Sequence, residues 1–67
     1  MANTEAFKKA VLAKGLKYGF LANSIGISRA SLWMKINNTS EFRASEISEL
    51  SKVMNLTAEE MMIIFFT

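Results

Sequence analysis

Cysteine, histidine, aspartate and proline are all missing from this 67-residue chain. Without cysteine there is neither a disulfide staple nor a thiolate metal site. Without histidine the commonest general base and the commonest zinc ligand are gone. Without aspartate the carboxylates are the six glutamates and the C-terminus. Seven serines (Ser24, Ser28, Ser31, Ser40, Ser45, Ser48 and Ser51) have no imidazole to activate them, so they read as helix caps and surface groups. Acid–base and nucleophilic catalysis lack their usual parts, and neither a cofactor nor a metal is expected. Proline being absent, the breaks in the chain fall to Gly15, Gly19, Gly26 and the Asn37-Asn38 pair.

What is present is apolar. Hydrophobic residues make up 51% of the chain, enough for a packed core and too many for a disordered tail. The longest apolar run, MMIIFF at 61–66, is far short of the ~20 residues that span a bilayer. The opening MANTEAFKK lacks the charged-then-apolar pattern of a signal peptide, so a cytoplasmic protein is expected. A net charge of +2 permits nucleic-acid binding without demanding it.

The apolar spacing is helical throughout, with no convincing alternation of the strand type. A first helix is expected from Thr4 or Glu5 to about Lys14, capped by Asn3 or Thr4, burying Ala6, Phe7, Ala10 and Val11 and ending at Gly15. Lys8 and Lys9 face outward as ordinary surface lysines. A second, short helix spans about Tyr18 to Ser24 and buries Leu21 and Ala22, with Ile25 at its end. Gly26 makes a turn, and Ser28 caps a third helix that runs to about Asn37. The Asn pair supplies a left-handed stop. The loop NTSEFRA is anchored by Phe42. A fourth helix from Ala44 or Ser45 to Met54 buries Ile47, Leu50 and Val53 or Met54. Asn55 breaks it, and Thr57 with Glu60 forms a capping box for a fifth helix at about 57–66. In that helix Met61, Ile64 and Phe65 fill the core, leaving Met62, Ile63 and Phe66 partly exposed. Five short helices make a compact all-α domain over residues 1–67.

Within it, Leu21-Ala22-x-x-Ile25-Gly26-Ile27-x-x-x-x-Leu32 meets the demands of two helices packed at a steep angle. Ala22 is small at the crossing, Gly26 tolerates positive φ between the helices, and the aliphatic groups lie beneath both. The segments KGLKYGFLANSIGISRASL, KINN, EF and SEISELSKVMNLTAEE extend the pattern over about residues 5–65. On these segments the chain resembles the phage Cro/repressor-like (lambda repressor-like) helix-turn-helix family, and within it small regulators of the Cro or anti-repressor kind. The resemblance implies a five-helix bundle whose second and third helices form the helix-turn-helix, with the third helix lying in the major groove. It assigns the outward face to Ser28, Arg29, Ala30, Trp33, Met34 and Asn37. Lys17, Tyr18, Lys35 and Asn38 become phosphate or rim contacts.

The chain departs from that family at the face itself. Tyr18 and Gly19 stand where many members place glutamine or a small polar group, and Lys35 where an apolar group is often buried. Direct readout relies on Arg or Lys to guanine and Asn or Gln to adenine. Trp33 and Met34 offer little of that code, leaving Arg29 and Asn37 as the base readers. Tryptophan beside arginine is instead the composition of a protein–protein hot spot. The helical wheel alone also allows Trp33 to join Leu32 and Ile36 in the core, whereas the family register turns it outward.

Two mechanisms follow for a phage-type regulator of lysogenic against lytic growth. In one, the face docks on a partner phage repressor, as an anti-repressor or modulator of repression, masking it or forming a joint complex. In the other, a Cro-like dimer closed through the fifth helix binds operator DNA directly, Arg29 and Asn37 reading bases and Lys17, Lys35 and Asn38 holding phosphates.

Overall fold

The computed structural model describes residues 1–66 and folds into five α-helices: α1 (Thr4–Ala13), α2 (Tyr18–Ser24), α3 (Arg29–Ile36), α4 (Ala44–Val53) and α5 (Ala58–Phe65). The helix ends have local causes. Asn3 caps α1 by accepting the Ala6 N–H, Ser28 caps α3 by accepting that of Ser31, and Thr57 caps α5 by accepting that of Glu60. Glu60 returns a bond to the Thr57 N–H at 2.9 Å, completing the expected capping box.

The breaks are residues in the left-handed region: Gly15, Gly26, Asn38 and Asn55, at φ of +64°, +72°, +65° and +54°. Of the two adjacent asparagines it is Asn38 that turns left-handed, while Asn37 keeps φ −92° as the C-cap of α3. Gly26 carries the α2–α3 connection, where an L side chain would be strained.

The core is built from one face of each helix. Phe7, Leu21, Leu32, Ile36, Leu50 and Met54 are essentially sealed from water, and Val11, Ala22, Ile64 and Phe65 join them. The choice between Val53 and Met54 goes to Met54, the C-cap of α4, with Val53 only part-buried. Ile47 and Met61 pack on the core's margin without being sealed. Phe42 anchors its loop as expected: its ring lies parallel to Phe7 at 6.0 Å and meets Phe65 edge-on at 5.3 Å.

The chain's beginning is tied down. The Asn3 N–H donates to Ile64 O at 2.7 Å, and the Thr4 hydroxyl donates to Ile36 O at 2.7 Å. The Asn38 side-chain amide accepts from the Ala2 N–H and donates to the Ala2 carbonyl. Among the described residues no helix is long and apolar enough to cross a membrane.

Candidate interaction face on α2 and α3

The surface singled out above is set by how α3 rolls against α2. Leu32 and Ile36 point down into the core, which fixes the other side of α3 outward. Ser28, Arg29, Ala30, Trp33, Met34 and Asn37 are all exposed there. Trp33 therefore lies outside the core, with 38% of its surface open, and Met34 beside it is 45% open. Phe20 on α2 is also exposed, 54% open.

Trp33 is outward yet held. Its ring stacks on that of Tyr18, centroids 4.8 Å apart and planes 27° from parallel. The Lys8 ammonium, from α1, sits 5.4 Å from the Trp33 ring centroid, within cation–π range. Lys8 is thus more than an ordinary surface lysine. No spacing signal along the chain marks it, because the contact joins helices that only tertiary packing brings together.

Polar groups of the face are partly consumed at home. The Ser28 hydroxyl accepts the Ser31 N–H at 3.0 Å and donates to the Ser31 hydroxyl at 3.1 Å. The Asn37 side-chain amide donates to the Trp33 carbonyl at 2.9 Å, folding back on its own helix. Arg29 is exposed, and among the described residues no carboxylate pairs with it.

Two of the expected rim residues are directed elsewhere. Lys35 turns toward α4, where its ammonium meets the Glu46 carboxylate at 3.1 Å and donates to Glu41 O at 2.9 Å. Only 13% of the Lys35 side chain and 11% of that of Glu46 stay exposed. Burial pushes the Glu46 carboxyl up, but the Arg43 N–H bond and then Lys35 outweigh it, leaving the carboxyl below its ordinary value. Asn38 spends its amide on Ala2, as described. Of the four rim candidates, Lys17 remains exposed and Tyr18 serves as Trp33's stacking partner.

A second surface is formed by α4 and α5. An open groove of about 550 Å³ between α4 and α5 is lined by Ile47, Leu56, Met61 and Phe66 among others. Met62, Ile63 and Phe66 are exposed along α5. Among the described residues no cluster of three His, Cys, Asp or Glu side chains is placed to hold a metal ion.

No protein-family model, curated protein or solved structure matches the chain.

Proposed function

We propose that this chain is a small phage-type transcriptional regulator of the lysogenic–lytic choice, working in the bacterial cytoplasm as a binding module rather than an enzyme. In this reading α2, the Gly26 turn and α3 are a helix-turn-helix of the Cro/repressor-like kind. Its outward face docks on a partner phage repressor. The observation that carries the reading is what that face offers: an indole held outward, Met34 exposed next to it in the chain, and an arginine one helical turn before the indole. Aromatic and arginine anchors dominate protein–protein hot spots, and methionine adapts to a partner's contour. An apolar helix face filling a partner's groove is a common recognition mode.

The same geometry weighs against base readout. Asn37 has its amide on Trp33's carbonyl, and Lys35 is paired with Glu46. Arg29 is then the one member of the face suited to reading guanine. The alternative, a Cro-like dimer on operator DNA, draws support from Arg29's freedom from carboxylates and from the exposed apolar residues of α5.

Fluorescence of the single tryptophan tests the two. The expected result is a blue shift on titration with the neighbouring repressor and none with duplex DNA from the same regulatory region. Trp33→Ala should then cost the complex at least ~2 kcal/mol. A response to operator DNA alone, with Arg29→Ala losing ~1–3 kcal/mol on the correct site, would install the Cro-like reading instead.

A further inference from the structure

Tyr18 and Gly19 are adjacent, and each lies under one side chain of α3. Tyr18 carries the Trp33 ring at 4.8 Å. A methyl group placed on Gly19 would stand 3.5 Å from Arg29 Nε and 3.8 Å from its Cδ, an ordinary contact, so the arginine's outer half lies along bare α2 backbone. Any longer side chain at 19 would have to share the guanidinium's space. Arg29 and Trp33 are four residues apart and so sit one above the other on α3. The first turn of α2 thus seats both anchors of the face at once.

The charge along the middle of the chain has one sign. From residue 6 to residue 40 the chain carries Lys8, Lys9, Lys14, Lys17, Arg29 and Lys35 and no carboxylate, whereas five of the six glutamates lie between 41 and 60. Lys14 is paired with Glu60 and Lys35 with Glu46, both from the second half. Neither Lys8 nor Arg29, the two cations that flank Trp33, forms an ion pair with a carboxylate among the described residues, although Glu5 lies one turn before Lys8 on α1.

We infer that Tyr18 and Gly19 form a platform holding Trp33 and Arg29 ready for a protein pocket that takes an indole and is edged by carboxylates. This rests on the docking reading above and adds the partner's chemistry and two positioning residues. The physical gain is preorganisation: a side chain already fixed in its bound position loses less freedom on binding. The carboxylates follow from complementarity, since an arginine brought against an apolar pocket without a counter-charge would be desolvated at a net loss.

The test combines the free chain with its complex. In the free chain, Tyr18→Ala should increase the fast local depolarisation of Trp33 fluorescence, while Tyr18→Phe, which keeps the ring, should restore the wild-type decay. Against the purified full-length repressor, Tyr18→Ala and Gly19→Gln should each weaken binding about tenfold, with Tyr18→Phe near wild type. Rising salt should weaken wild-type binding and leave Arg29→Gln almost insensitive. Helical circular dichroism checks that each variant is folded, and Gly19→Ala serves as a further folded control expected to bind normally.

Unchanged depolarisation in Tyr18→Ala overturns the platform, whether or not the wild type binds the repressor. An Arg29→Gln variant with the wild-type salt slope overturns the carboxylate-edged pocket. If the wild-type chain ignores the repressor and binds duplex DNA, the docking reading itself falls and takes the pocket with it.

Discussion

Asn38 combines two demands that no other residue type meets as well. Its backbone is left-handed at φ +65°, and its amide forms two bonds to Ala2. Asparagine enters that region more readily than other non-glycine residues, and its short amide reaches a neighbouring backbone. Asn38→Gly keeps the conformation and loses the clip, while Asn38→Ala loses both. Urea unfolding should rank wild type above Gly and Gly above Ala, with the last step about 1 kcal/mol. Equal midpoints for Gly and Ala would show that the clip alone selects asparagine. At the same scale Trp33 and Phe7 form a contrast in aromatic use. One is stacked on the surface and part-open to water. The other is fully buried between Phe42 and Phe65.

Between elements, the Lys35–Glu46 pair joins α3 to the first turn of α4. It converts a position of α3 that looks outward on sequence into an internal strut, with the lysine's stem lying over the interior and its charge satisfied. Glu46's folded carboxyl titrates below its ordinary value, so its contribution is complete above the unfolded-state value of about 4.3 and is lost as pH falls through the lower folded value. Stability should therefore be level near neutral pH and decline on acidification below about pH 4.3, and Glu46→Gln should flatten part of that decline. Glu60, also lowered, chiefly by the Thr57 N–H bond, contributes in the same direction and keeps some slope in the variant. Lys35→Met leaves Glu46 without its counter-charge and should cost about 2–3 kcal/mol at pH 7, toward the low end for a pair with some water contact. A loss under about 0.5 kcal/mol in chemical denaturation would mean that the strut is a surface pair after all.

For the molecule as a whole, a 67-residue chain has little stability to spare, about 3–10 kcal/mol at the usual per-residue value. Phe7→Ala, at about 3–5 kcal/mol for a sealed aromatic, should remove a large part of that stability and lower the thermal midpoint steeply. Trp33→Ala should leave the thermal midpoint within a few degrees of wild type. Thermal melts followed by circular dichroism separate core from face in one experiment, and a large loss on Trp33→Ala would place the indole among the groups that hold the fold.

The sequence by itself determined the five helices, their caps and most of the core. Those features are local or periodic: Ser28 and Thr57 bond within their own first turns, Gly15 and Gly26 sit where the chain reverses, and the buried pairs Phe7 and Val11, and Leu32 and Ile36, recur at helical spacing. The six outward residues of α3 were legible in the sequence, but tertiary structure alone decided what holds them and which rim residues join them. A helical wheel allowed Trp33 in the core with Leu32 and Ile36 while the family register turned it outward, and the roll of α3 about those two residues puts it outside. Tyr18 beneath Trp33, Lys8 beside it, Lys35 on Glu46 and Asn38 on Ala2 all join residues distant along the chain. Such contacts depend on the angles at which helices cross, which local propensity does not encode.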